Sequence, residues 1–81
     1  MKLQRGLKLF IADIENEEDH DQEIWYIVGR TYESAFKRFI KQANQLWRSY
    51  LYYFNEADEE QVDRFMEELD IEAVEAGIYY I

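Results

Sequence analysis

The chain contains no cysteine, no proline, three glycines and a single histidine. Without cysteine, no disulfide can staple the fold and no thiolate can hold a metal or act as a nucleophile; the secreted mini-protein class is excluded and a reducing, cytoplasmic setting is expected. With no proline and so little glycine there is no linker-like stretch, and residues 1–81 read as one domain. No window approaches the roughly 18 apolar residues of a membrane span, and the basic start, Met1 to Gly6, is not followed by the apolar core of a signal peptide, so a soluble, unprocessed protein is expected. Positive charge is also scarce, nine lysines and arginines against eighteen aspartates and glutamates, for a formal charge of −9. Such a surface is repelled by DNA, RNA and anionic membranes, and attracted to proteins that bind those polyanions.

What is present is apolar and aromatic. Forty-eight per cent of the residues are hydrophobic and 17% aromatic, far above a disordered acidic tail, so the chain folds. At this length a domain buries only roughly 60–65% of its unfolded surface and needs most of its apolar residues for the core.

Leu7 to Glu15 carries Leu7, Leu9 and Ile11 on one side and Phe10, Ala12 and Ile14 on the other, the double-sided pattern of a strand, and Ile24 to Val28 is a second, rich in β-branched and aromatic residues. The short polar segment Asn16 to Glu23 makes them a hairpin. From Tyr32 to Phe54, apolar residues recur at three-and-four spacing, predicting one long helix of near six turns capped by Thr31, with Lys37, Arg38, Lys41 and Arg48 on its other face. A second helix, capped by Asn55, has the stripe Val62, Phe65, Met66 and Leu69. Alternation from Ile71 to Ile81 predicts a third strand, placed beside the first. The expected fold is α+β: a two-layer sandwich in the order β-β-α-α-β, a three-stranded antiparallel sheet packed on one long and one short helix. One uncovered sheet face would then expose Phe10, Trp25 or Tyr26, and Tyr79, unless the second helix crosses over to bury them.

The sequence carries no catalytic constellation. Ser34 and Ser49 lie in the helical pattern with no histidine near in sequence, and His20 sits in the acidic loop, where an exposed residue is the simpler reading than a proton shuttle or metal ligand. Paired carboxylates abound, but a chain this small has little room for a cleft that would hold one of them protonated. The chain is therefore read as a non-enzyme with no cofactor. Alternating acids from Asp13 to Glu23 imitate a calcium loop only briefly: an EF-hand beginning at Asp13 would place Glu18 where glycine is needed and Ile24 where the bidentate glutamate belongs. The cationic helix face, with Trp47, Tyr52 and Tyr53 nearby, has the ingredients of a nucleic-acid groove, yet the acidic blocks oppose it and internal pairing with the acidic helix is the expected use of those cations.

Charge segregation is the feature these exclusions leave. Seventeen of the eighteen carboxylates fall between Asp13 and Glu23 or between Glu56 and Glu75. Along the second helix Glu56, Glu60, Asp63, Glu67 and Asp70 recur every three or four residues, a rise of about 4.5–6 Å between charges, near the roughly 6–7 Å between adjacent phosphates of a nucleic-acid strand. The expected role is a small acidic inhibitor that mimics DNA and occupies the site of a nucleic-acid-binding enzyme. Its surrogates for phosphate are Glu59, Glu60, Asp63, Glu67 and Glu68 on the helix, with Glu17, Glu18, Asp19 and Asp21 in the hairpin loop as a second contact. In physical type the chain resembles the small acidic proteins with which phages and mobile elements block restriction enzymes, CRISPR effectors and uracil glycosylases, a likeness of class carried by no shared motif. The partner expected is a nucleic-acid-binding protein, with no direct contact to nucleic acid or membrane. The competing reading is a non-catalytic adaptor or homodimer that uses an aromatic sheet face.

Overall fold

The structure is a computed structural model and describes residues 3–70 and 73–80. Two long strands form the expected hairpin: β1 (Lys8–Asn16) pairs with β2 (Gln22–Gly29) in one unbroken antiparallel register from Lys8↔Gly29 to Glu15↔Gln22. Helix α1 (Tyr32–Leu46) follows at once. Thr31 caps it through a reciprocal box in which the Ser34 amide donates to Thr31 Oγ1 at 3.1 Å and the Thr31 amide to Ser34 Oγ at 3.4 Å, satisfying two otherwise orphan amides. The tight β2–α1 junction depends on Gly29, where a Cβ would stand 3.2 Å from that of Ala35.

The single long helix expected from Tyr32 to Phe54 is corrected by the structure. It ends at Leu46, the cap residue Trp47 is already extended, and Tyr50–Glu56 forms a strand, β3. Tyr50, Leu51, Tyr52, Tyr53 and Phe54 are a run of bulky residues that fits either period. As a strand, the run places Tyr50, Tyr52 and Phe54 on the α1 side of the sheet, and β-propensity together with ladder hydrogen bonds outweighs about two further helical turns. Consequently Asn55 and Glu56 belong to β3, and helix α2 (Glu59–Leu69) is capped instead by Asp58, whose side chain accepts from the Gln61 amide at 2.8 Å. The expected C-terminal strand is present as the short β4 (Gly77–Tyr79); the ends assigned to it, Ile71, Glu72 and Ile81, lie outside the described residues.

The sheet therefore has four antiparallel strands in the order β3-β1-β2-β4, not three. The last strand pairs with β2 rather than beside β1, because β3 takes the other edge of β1, from Phe10↔Glu56 to Asn16↔Tyr50.

The helices lie on opposite faces. Against α1 pack Phe10, Ala12 and Ile14 of β1, Trp25 and Ile27 of β2, and Phe54 of β3, interlocked with Ala35, Phe39 and Ala43. Trp25 meets Phe39 edge-on at 5.6 Å, and Phe54 stacks on both Phe10 and Phe39. Against α2 pack Leu9 and Val28 with Phe65, Met66 and Val74, and Tyr26 stacks on Phe65 at 5.3 Å. The one-sided arrangement and its uncovered aromatic patch are thus overturned. Phe10 and Trp25 are fully buried, and Tyr26 and Tyr79 are half-buried against Phe65. Strands apolar on both faces need a cover on each, and α2 supplies the second. Among the described residues, no helix is long and apolar enough to cross a membrane.

Candidate functional site

Helix α2 buries a narrow stripe and exposes the remainder. Phe65 and Met66 are buried, while Glu59, Glu60, Asp63, Glu67 and Glu68 all lie at the surface. Glu59 and Glu60 occupy the first turn, where the helix dipole favours negative charge. Glu67 and Glu68 occupy the last turn, where it opposes them and where no basic residue is present. Asp70 ends the helix in the left-handed region, at φ 50°, in place of the usual glycine. Glu56, counted on sequence spacing among the helical charges, stands on β3 instead.

The hairpin loop is ordered by its own polar groups. The Glu18 amide donates to Asn16 Oδ1 at 2.9 Å, the Asp21 amide to Asp19 Oδ1 at 3.1 Å, and His20 takes the left-handed conformation at φ 63°. Glu17 is tied to the α1–β3 turn twice: its amide donates to the Ser49 carbonyl at 3.0 Å, and its carboxylate accepts from Ser49 Oγ at 2.7 Å. Glu17 and Asp19 therefore have structural work, whereas Glu18 and Asp21 project without side-chain partners among the described residues.

The two acidic blocks are not adjacent. The loop closes one end of β1 and β2, and α2 packs over Leu9 and Val28 at the other end of a molecule 38 Å long. Asp13 and Glu15 connect them. Strand pleating sends both to the α2 side, opposite Phe10, Ala12 and Ile14. The sequence held the signal for this in the alternation of Asp13 and Glu15 with Ala12 and Ile14, but assigning it to a face requires knowing which helix covers which side.

The cations are placed away from these acids. Lys37, Arg38 and Lys41 lie exposed on α1, across the sheet from α2, and Arg48 lies exposed in the turn after it, so the expected pairing with the acidic helix does not occur. The one ion pair among the described residues lies within α2: Arg64 to Glu60, 3.4 Å, with both side chains mostly in solvent. Exposed pairs of this kind contribute little. Tyr52 and Tyr53 belong to β3 and point to opposite sides, Tyr52 packing on Phe36 and Phe39 and Tyr53 remaining 76% exposed. Among the described residues, no three acidic or histidine side chains converge as metal ligands.

A surface hollow of about 510 Å³ opens between α2 and the segment leading into β1. Leu3, Leu7, Leu9 and Val62 form its apolar floor, and Glu59 and Asp63 stand among its polar lining, together with Lys8. A second hollow of about 150 Å³ joins Asp13 and Glu15 to Leu51 and Tyr53. Both combine carboxylates with apolar surface. Comparison with protein-family models, with curated proteins and with solved structures finds no match to this chain.

Proposed function

We propose that this protein is a small acidic inhibitor that offers its carboxylates to the cationic site of a nucleic-acid-binding enzyme, in the manner of the anti-CRISPR, anti-restriction and glycosylase-inhibitor proteins it resembles in physical type. The observation that carries this reading is the set of acids left uncompensated: among the described residues a single weak ion pair stands against the whole acidic complement, and Glu67 and Glu68 are held against the helix dipole. Charges retained where they oppose folding are explained by a partner that uses them. The hollows agree with a cationic partner, since arginine and lysine bring an apolar stem and a charged head, matching an apolar floor beside Glu59 and Asp63.

The test is a salt-stepped capture from host lysate followed by affinity measurement. A nucleic-acid enzyme eluting as salt rises is the expected partner, and reversal of Glu60, Asp63 and Glu67 to lysine weakens it by on the order of 100-fold or more. Unchanged affinity of the triple variant sinks the proposal.

A second reading, the adaptor or homodimer, keeps one observation in its favour. α2 does not reach the part of its face where Ile24, Leu51 and Tyr53 remain exposed. Of the aromatic residues expected at such an interface, Phe10 and Trp25 are core, and Tyr26 and Tyr79 are half-buried against Phe65.

A further inference from the structure

The two edges of the sheet are finished differently. β4 is three residues long and begins at a glycine, so it presents little to pair with. β3 is seven residues of Tyr50-Leu51-Tyr52-Tyr53-Phe54-Asn55-Glu56, with no proline, no lysine or arginine and no break in its register with β1. Apart from Glu56 at its end, it has none of the devices by which natural edge strands avoid pairing.

Its free hydrogen-bonding groups can be assigned. The Ala57 amide donates to the Leu9 carbonyl and the Glu17 amide to the Ser49 carbonyl, so in this register the odd-numbered residues of β3 turn their backbone groups toward β1. The even-numbered residues, Tyr50, Tyr52, Phe54 and Glu56, turn theirs outward. None of the four makes another backbone hydrogen bond among the described residues.

We propose that β3 pairs antiparallel with β3 of a second copy of this chain, joining two four-stranded sheets into one continuous sheet about a two-fold axis through Tyr53. That register brings outward-facing residues together in hydrogen-bonded pairs, Tyr50 with Glu56 and Tyr52 with Phe54, each repeated by symmetry. It seats the 76% exposed Tyr53 against its own copy, and Leu51, 57% exposed, opposite Asn55 and diagonal to Tyr53. Charge placement permits the pairing despite the net charge of −9. The only charge on β3 is Glu56, which meets a tyrosine and not another acid. Asp13 and Glu15 lie one strand in, so β1 and its copy stand three strand spacings apart, about 14 Å, beyond the roughly 8 Å screening length at physiological ionic strength. A ladder of seven residues is small beside a standard interface of roughly 800 Å² per partner, so the dimer forms reversibly at micromolar concentration and above. Residual repulsion makes it tighter as salt rises, opposite in sign to the inhibitor contact, so the two proposals fail separately.

Sedimentation equilibrium across micromolar to millimolar protein, with amide exchange read at low and high concentration, tests it. Expected are a monomer–dimer equilibrium and concentration-dependent protection of the Tyr52 and Phe54 amides. Tyr53→Lys and Tyr53→Glu keep the fold, since that side chain is largely in solvent, and each alone weakens self-association by on the order of 100-fold through like charges on the axis. Mixing the two restores a dimer, now heterologous. A chain that stays monomeric throughout, a dimer indifferent to both substitutions, or protection of those amides only by another protein overturns the proposal.

Discussion

Tyr50 shows how one side chain reports on its surroundings. It packs against the α1 core and donates its hydroxyl to Asn44 Oδ1 at 2.6 Å, bracing the start of β3 against the end of α1. Burial, and secondarily the neighbouring Tyr52, raises its pKa above the ordinary tyrosine value of 10.0. A pKa raised by folding means that the native state holds the proton longer than the unfolded chain, so the stability linked to Tyr50 is complete below pH 10 and is lost as pH climbs toward the folded value. Denaturant unfolding from pH 9 to 11.5 should show this loss, and Tyr50→Phe should flatten the slope while removing the bond to Asn44. At the same scale, Trp25 shows where reading residues singly goes astray. On a strand with apolar side chains on both faces it could have belonged to an interface, yet it is fully buried, surrounded by Phe39, Trp47 and Tyr80.

Among the elements, α2 carries a conflict that can be measured. Its cap and first turn are built for stability, with the Asp58–Gln61 box and two glutamates at the positive end of the dipole. Its last turn is built against it. Glu67→Lys and Glu68→Lys should each stabilise the fold by about 0.3–1 kcal/mol, measured by chemical denaturation at low salt. If Glu67 serves a cationic partner, its reversal raises stability and lowers affinity together, the trade-off expected of a functional residue. The elements also mark what could be read from the chain. The hairpin was legible because its strands are contiguous and strongly patterned, and the stripe of α2 because Val62, Phe65, Met66 and Leu69 fit a single period. The stretch from Trp47 to Phe54 was not, because dense aromatic runs satisfy helical and strand spacing alike, and only pairing with β1 decides between them. Misplacing β3 then misplaced α2, since a chain that returns through the sheet edge emerges on the other face.

At the scale of the molecule, charge is distributed with little internal compensation. With a net charge of −9 and one exposed ion pair among the described residues, the folded state carries self-repulsion that mobile ions relieve. Thermal unfolding in sodium chloride should show Tm rising from ~10 mM to ~200 mM as the screening length contracts, and then levelling. A flat response would mean that the carboxylates exert no net repulsion in the folded state. Acid identities were legible in the sequence, but their arrangement was not. The alternation in β1 puts Asp13 and Glu15 on one face, but that this is the face α2 covers, with Lys37, Arg38 and Lys41 across the sheet, follows from the crossing of the chain through β3.

The position of β1 between β2 and β3 also orders events in time. Its first partner arrives across a loop of five residues and forms with little entropic cost, whereas its second comes only after β2 and all of α1 have intervened. The hairpin and α1 can assemble from near-neighbour contacts, while α2 has to return to Leu9 of β1 and Val28 of β2 across a longer stretch of chain. The acidic face of α2 should therefore gain amide protection later than the hairpin and α1 when refolding is followed by pulse-labelled exchange.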